Sequence, residues 1–500
     1  MQIGRIEIFT DAKVIDATNI IEILKDAYAK HQQNINKYEY LLKYEAGEQP
    51  LQRSKTYRSD INCECVDNIA NEVTEFNLGY KWSNPITLVQ RGSDENKSAL
   101  ITKLNTFYEA QNIRAKQQQL GRYVEIGGIG YTYVDKADAN SDSPFIVESL
   151  DPRFTFVVRS SYYIDHRVML GVTYRLGQDG NRYFTCFTKD RRYEIQNVYD
   201  VLNGKKRDTK GRWEEADRSG EANPLGMIPI VEWFRAYDRM GCFERQTSEM
   251  DNLNLLISDF TNDVEQNTQA VWHGNDIEMP KEIIKREDGT VEEKTKNPTS
   301  NQWLITQTTA DGKTPFIKPL AVEYDYSGML KNIITRRELI LQKCNVPQRN
   351  STSGGSSGVA MDSASGWSAA ESAAAKQQNI MESSKMEEVR VVLKAIALSE
   401  YANEFSELSI MDLQANVKRQ KTYELTVKAN AITTLLAHGF SLEDAISVAP
   451  LFEDPAQTIE RSKEGVKKYQ ESTVFGTNQD EGRPFPDLSD EANNSPNIGA

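Results

Sequence analysis

The tripeptide Gly312-Lys313-Thr314 has the residue types that close a phosphate-binding loop. In such a loop backbone N–H groups cradle phosphates and a lysine reaches toward them. The G-x-x-x-x-G-K pattern needs another glycine where this chain has Gln307, and Pro315 stands where the phosphate-binding helix would begin. The spacing therefore supports no nucleotide site. Gly127-Gly128-Ile129-Gly130 does not complete G-x-G-x-x-G, because position 133 is Tyr; inside an apolar, aromatic run it reads as a bulge or a close strand approach. The four histidines, His31, His166, His273 and His438, show no metal-ligand spacing. Cys63 and Cys65 form C-x-C with no second pair, and the remaining cysteines, Cys186, Cys242 and Cys344, are scattered, so reduced thiols are expected rather than a disulfide framework. There is no G-x-S-x-G elbow, and no pair of carboxylates stands out. No catalytic residue, metal ligand or cofactor is expected, and the chain reads as something other than an enzyme.

What positions the rest is a chain of 500 residues with 39% hydrophobic and 26% charged residues, long enough for several domains. No apolar run has the ~20 residues a membrane helix needs. The N-terminus, MQIGRIEIFTDAK, lacks an apolar signal core, so a cytoplasm-like compartment and no membrane partner are expected. The net charge is −14. A protein that grips nucleic acid through phosphates is normally basic. Either this chain does not bind nucleic acid, or it faces it without holding it.

The pattern along the chain is α+β. Residues 16–45 read as a helix carrying Ile20, Ile21, Leu24, Tyr28 and Ile35 toward one side, ended by Gly47 and Pro50. Further helices are expected near 65–76 and 94–114. From Leu120 to Phe234 the period changes to two, with turn signals between aromatic and β-branched runs, which predicts an antiparallel meander. Helix returns at 244–270, where Met250, Leu253, Ile257, Phe260 and Val264 make one narrow stripe. A polar insert, 271–324, contains a hairpin signal at Asp288-Gly289 with charged flanks. A second helix, 326–344, carries Met329, Ile333 and Ile340 on one side, Leu330, Ile334 and Leu341 beside it, and Lys331, Arg336, Arg337 and Lys343 elsewhere. These cations suit phosphate contact, or equally ion pairing between subunits with acidic Glu249, Asp251, Asp259, Asp263 and Glu265. After the Gly/Ser-rich stretch NVPQRNSTSGGSSGVAMDSASGW comes a long Ala/Ser-rich helix, 361–400, apolar mainly at Val389, Val392, Leu393 and Ile396. Short helices follow, one capped by Ser441 with Asp444 and one starting at Pro455, and then a polar tail expected to be disordered.

This order of parts resembles the portal protein of tailed bacteriophages, the type found in phages of Gram-positive hosts. "LLKYEAGEQPL", "IANEVTEFNLGYKWSNPITL", "VESLDPRFTFVV", "NPLGMIPIVEWF", "CFERQTSEMDNLNLLISDFTNDVEQNTQAVW", "VPQRNSTSGGSSGVAMDSASG" and "LAHGFSLEDAISVAPLFEDPAQTIE" are similar to segments of that family in the family's order. The resemblance implies a portal-type subunit. Its parts would be an α/β wing at 1–242, two stem helices at 243–270 and 325–344, a small β-containing clip at 271–324, a tunnel loop at 345–360, a long wing helix at 361–400, an α-helical crown at 401–475, and a tail at 476–500.

It further implies a homo-oligomeric ring of twelve subunits at one capsid vertex of the virion, assembled in the bacterial cytoplasm. Double-stranded DNA would be packaged through its channel by the terminase large subunit and later ejected. A head-completion or adaptor protein, the major capsid protein and the scaffolding protein are the other implied partners. By position, Arg349, Asn350, Ser351, Gly354, Gly355 and Ser356 of the tunnel loop, with Lys331, Arg336, Arg337 and Lys343, would face the DNA. Lys285, Arg286, Glu292 and Glu293 of the clip hairpin would meet partners. The alternatives are another ring-forming virion or head-tail connector protein and a nucleic-acid-processing enzyme.

Overall fold

In Ile20–Glu45 (α1) the buried side chains Ile20, Ile21, Leu24, Ala27, Tyr28, Tyr38 and Leu41 recur at three- and four-residue intervals, so one face of the helix is apolar. Gly47 ends it with φ +97°, a conformation that costs glycine nothing. That face covers a six-stranded sheet of order β1 (Ile8–Thr10), β5 (Thr155–Ser160), β6 (Val168–Leu176), β7 (Arg182–Phe187), β8 (Arg191–Gln196) and β11 (Glu221–Ala222). Strands β5 to β8 are an antiparallel meander; β1 joins β5 in parallel. Successive side chains of a strand point to opposite faces. Phe156 and Val158 accordingly pack under α1, while Val157 points away from it into a second sheet. The second sheet has the order β12 (Ile230–Phe234), β3 (Ile129–Lys136) and β4 (Phe145–Leu150). Ile129, Tyr131 and Ile230 meet the first sheet, whereas Val134, Val147, Val231 and Trp233 meet a helical layer. That layer holds α3 (Glu95–Ala110), α4 (Ile113–Gly127) and α7 (Trp367–Ala397). The core thus has four layers: helix, sheet, sheet, helices.

The computed structural model describes residues 4–51, 61–92, 94–138, 141–178, 180–196, 205–207, 213–215, 220–268, 272–277, 281–286, 291–295, 303–308, 312, 314–319, 325–347, 366–419, 424–441 and 445. Residues 1–420 form one compact unit and 421–500 a second. In the second, α8 (Glu424–Ala437) is the described helix. Asp444, Pro455 and the tail lie outside the described residues. Residues 401–419 belong to the first unit, where Phe405, Leu408 and Leu413 join the helical core and β18 (Leu413–Asn416) pairs with β2 (Thr87–Gln90).

Four expectations need correction. The period-two region is two face-to-face sheets, not one meander. Its strands are apolar on both faces, so alternation could not say which partner each would take. Residues 120–127, read as strand, finish α4; Leu120, Val124 and Ile126 are buried, and their β-like composition is overridden by packing on both sides. The Gly127-Gly128 pair is therefore a helix end rather than a bulge. Gly128 sits at φ +80° and donates to the Val124 carbonyl at 2.9 Å, and a side chain on Gly127 would collide with the Tyr38 ring. The helix expected at 94–114 breaks at Asn112, which is left-handed at φ +57°.

Two buried ionic clusters fix the helical layer. Glu125 on α4, fully buried, accepts from Trp82 Nε1 at 3.0 Å, Gln377 Nε2 at 2.6 Å and Arg235 Nε at 3.1 Å, with Lys81 at 3.7 Å. Burial alone would push its carboxyl up, but Lys81 and Arg235 outweigh burial and hold it below the usual range. On α7, Lys385 pairs with Glu388 at 2.6 Å and lies 3.7 Å above the Tyr108 ring, whose hydroxyl donates to Glu388.

α5 (Thr247–Thr268) carries the stripe expected of it only in part. Met250 and Leu253 are buried and Ile257 and Phe260 half-buried, but Val264 is exposed. The line that is fully buried is polar: Asn254, Ser258 and Asn262. It grips an extended segment. Asp67 N–H donates to Asn254 at 2.9 Å, Cys65 N–H to Ser258 at 2.9 Å, and Cys63 N–H to Asn262 at 2.7 Å, while Asn262 Nδ2 donates back to the Cys63 carbonyl at 3.1 Å. The match is geometric. Four helical residues rise ~6.0 Å and two extended residues ~6.6 Å, so every fourth side chain meets every second backbone amide.

Replacing Asn262 with Ala removes this partner from both backbone polar groups of the half-buried Cys63. The expected loss is about 1–3 kcal/mol in urea unfolding, with faster amide exchange confined to residues 61–67. A pH effect follows from His31, which is buried with its ring 4.5 Å from Phe156 and Nε2 3.2 Å from the Arg153 carbonyl. Burial pulls its pKa from the ordinary 6.5 down to about 4. The unfolded chain therefore binds a proton that the folded chain refuses. This contribution to stability is complete above the unfolded value and lost as pH falls from 6.5 to 4, by about 3 kcal/mol. His31→Gln should flatten the dependence of the melting temperature on pH across that window.

Candidate nucleic-acid and assembly interface

α5 and α6 (Tyr326–Lys343) run antiparallel. Phe260 and Asn267 near the end of α5 meet Tyr326 at the start of α6, and Glu249 near the start of α5 lies 4.0 Å from Lys343 at the end of α6. Asp325 caps α6 by accepting from Gly328 N–H at 2.9 Å. The seam is thin: of α6 only Ile333 and Ile340 are buried. With about 100° of turn per residue, Leu330, Ile334 and Leu341 share one flank and Arg336 and Lys343 share the other. Leu330 and Ile334 are each 48% exposed, a large apolar surface for a helix to leave uncovered.

The sequence-predicted cations divide accordingly. Lys331 is exposed. Arg336 is exposed, with Nε donating to Asn332 on its own helix at 3.1 Å. Lys343 is exposed beside Glu249. Arg337 points elsewhere: its guanidinium binds Asp67 at 2.8 Å and Glu72, tying α6 to the gripped segment and to α2 (Ile69–Lys81).

Between α5 and α6 the chain forms β13 (Trp272–Asn275), β14 (Lys281–Lys285), β15 (Val291–Thr295), β16 (Trp303–Thr306) and β17 (Phe316–Pro319). Strands β16, β13 and β17 make a small sheet, stitched at its end by Asp276, whose carboxylate accepts from Thr308 N–H at 2.8 Å and Thr314 N–H at 3.0 Å. Thr314 thus belongs to a strand connection, not a phosphate loop. Strands β14 and β15 pair antiparallel, with Lys285 opposite Val291, Ile284 opposite Glu292 and Ile283 opposite Glu293. Arg286 follows in exposed chain. Asp288 and Gly289 lie outside the described residues, as do Arg349, Asn350, Ser351, Gly354, Gly355 and Ser356.

The two ends of the Gly/Ser-rich stretch are described, and they meet. Pro347 Cα lies 3.9 Å from where a Gly366 side chain would begin. Both ends rest on α2: Cys344 and Val346 pack with Ile69 and Val73, and Trp367 packs on the rings of Phe76 at 6.0 Å and Tyr80 at 5.6 Å. Glu371, one turn into α7, accepts from Tyr80 and pairs with Arg419. The helices on either side belong to one unit, so the stretch leaves and returns at one place instead of linking separate domains.

Sequence reasoning missed the polar grip of α5 and the role of Arg337. The signal for the first was present as Asn254, Ser258 and Asn262 at four-residue spacing, but it has meaning only with Cys63 to Asp67 laid beside it. Among the described residues no cluster of His, Cys, Asp or Glu could hold a metal ion, and no helix is long and apolar enough to cross a membrane. No curated protein sequence matches the chain. The family described as phage portal protein, SPP1 Gp6-like, matches residues 23–472. That span takes in the layered core, the antiparallel helix pair and the returning loop together, and the chain belongs to this family of portal proteins, structural components that form the channel for packaging phage DNA.

Proposed function

We propose that twelve copies of this chain close into a ring at the capsid vertex of the virion, after assembly in the bacterial cytoplasm. The observation that carries this reading is the uncovered Leu330/Ile334 flank of α6, set about 150° from the basic Arg336/Lys343 flank. A helix with one apolar and one basic flank suits a position where the first seats on a neighbouring copy and the second turns toward an axial channel. In this assignment the wing comprises residues 1–242 with 361–400, the stem 243–270 and 325–344, the clip 271–324, the tunnel loop 345–360, and the crown 401–475, whose residues 401–419 pack with the layered core.

Arg336 and Lys343 on the basic flank are the channel cations, joined by Arg349 and its polar neighbours in the loop; Lys331, about 130° round the helix from them, is a further exposed cation on α6, while Arg337 braces α6 from behind. Double-stranded DNA passes a wall with few such levels. Each phosphate neutralised adds salt-dependent affinity, so a sparsely basic wall in a chain of net charge −14 holds the duplex loosely. The exposed β14–β15 hairpin, with Lys285, Arg286, Glu292 and Glu293, is the surface for the terminase large subunit and later for a head-completion protein. The wing faces the major capsid and scaffolding proteins.

Electron microscopy of the purified protein should show annular particles with an axial hole wide enough for a duplex. Leu330→Asp with Ile334→Asp should abolish the annuli while leaving the circular dichroism spectrum unchanged. Lys331→Ala, Arg336→Ala and Lys343→Ala together should keep the annuli and alter DNA retention. A well-folded monomer of the unaltered chain under all assembly conditions would overturn the reading.

A further inference from the structure

The β5–β6 connection carries the most exposed large apolar residue described, Ile164, at 98%. The turn around it is built rather than slack. Ser160, fully buried, accepts at its Oγ from Tyr162 and Tyr163 N–H, both at 3.1 Å, and its carbonyl lies 3.0 Å from His166 Nδ1. The Tyr162 and Tyr163 rings meet edge to face at 5.1 Å, with Lys13 over the first at 4.6 Å and Arg167 over the second at 4.2 Å. A fixed apolar knob costs little ordering entropy when it binds, which is how an interface anchor gains affinity.

At the other side of the layered core, the end of α7 and the turn that follows enclose a groove of about 390 Å³ walled by Met227, Leu393, Phe405 and Leu408. Lys394 stands at its rim, exposed and without a carboxylate partner among the described residues. The knob belongs to the first sheet and the groove to the helical layer beyond the second sheet, so no copy can fill its own groove with its own knob. A cyclic ring joins two different faces of each subunit, one to each neighbour.

We propose that Ile164 of one copy seats in the α7 groove of the next, with Asp165 brought to Lys394. This is a second contact around the ring, distinct from the α6 flank, and it rests on the ring reading above. The occupant is a second copy because the chain itself offers both halves of a heterologous contact, an apolar knob for an apolar groove, and beside the knob a carboxylate, held by Arg167 at 3.1 Å in an exposed pair that Lys394 can share or replace.

The test uses the full chain with Cys63→Ser and Cys65→Ser, carrying Ile164→Cys and Ser406→Cys together. A short bis-maleimide added to annular particles should give a ladder of covalent multimers on a denaturing gel. Mixed particles of the two single variants should give nothing larger than a dimer. Ile164→Asp should weaken assembly about tenfold, which corresponds to a modest loss of contact energy. Annular particles that give no ladder, together with unchanged assembly by Ile164→Asp, overturn the pairing while leaving the ring intact. Absence of annular particles from the unaltered chain removes the ring itself, and the pairing with it.

Discussion

A carboxylate with no access to water holds the helical half of this molecule together. Glu125 cannot stay ionised in a dry core unless partners surround it. Here they come from three other places in the chain: Lys81 and Trp82 at the end of α2, Arg235 after β12, and Gln377 on α7. Its own backbone carbonyl accepts from Cys242 N–H at 2.7 Å, which fixes where the chain leaves the core for α5. Each partner satisfies the charge only from one position, so the charge sets the relative placement of all four segments. Apolar packing alone would tolerate sliding; a hydrogen-bonded buried charge does not.

α2 is where that placement is spent. Its end is fixed by Glu125, its start caps itself through Asn68 and binds Arg337 through Glu72, and its middle bears both ends of the Gly/Ser-rich stretch. The helix pair α5/α6 and the long helix α7 are therefore referenced to one short rod of thirteen residues. The polar grip of α5 on Cys63, Cys65 and Asp67 extends the same logic in the other direction, because hydrogen bonds to backbone amides register a segment residue by residue, whereas an apolar stripe registers it only approximately. The core stabilises the fold, and these directional contacts decide where the helix pair and the ends of the Gly/Ser-rich stretch stand.

How much of this could be read in the sequence depended on whether one segment carried the whole signal. α1 and α6 were legible from apolar residues at helical spacing, with Gly47 marking an end, and α7 from a long run of good helix formers that is apolar toward its end. The hairpin at 281–295 was legible from its turn dipeptide and charged flanks, and the described strands pair there. Tyr123 to Gly127 misled because a buried helix of β-branched and aromatic residues looks like a strand until its neighbours are known. The division of the β region into two sheets was hidden for the same reason, with apolar residues on both faces of β3 and β5. Of the site, the cations on α6 could be named but not told apart: nothing local to Arg337 announces Asp67 and Glu72, which lie about 270 residues earlier. Family likeness supplied the order of parts, and only the fold separated a bracing arginine from three that face outward.

The layered core and the helix pair meet opposite demands. In the core, large side chains such as Trp233, Phe145 and Phe156 are fully buried, and the charges inside are paired. In the α5–α6 region and the small sheets between, Leu304, Ile317, Leu330 and Ile334 stay about half exposed in the single chain. A chain with that contrast folds its core alone and leaves the rest of its apolar surface for burial against something else. For a channel subunit this order is useful. The core and the α2 platform hold α5 and α6 in place within the single chain through Glu125, Arg337 and the α5 grip, so the entropy of ordering the helix pair is met by contacts inside the subunit and not by contacts with a neighbour.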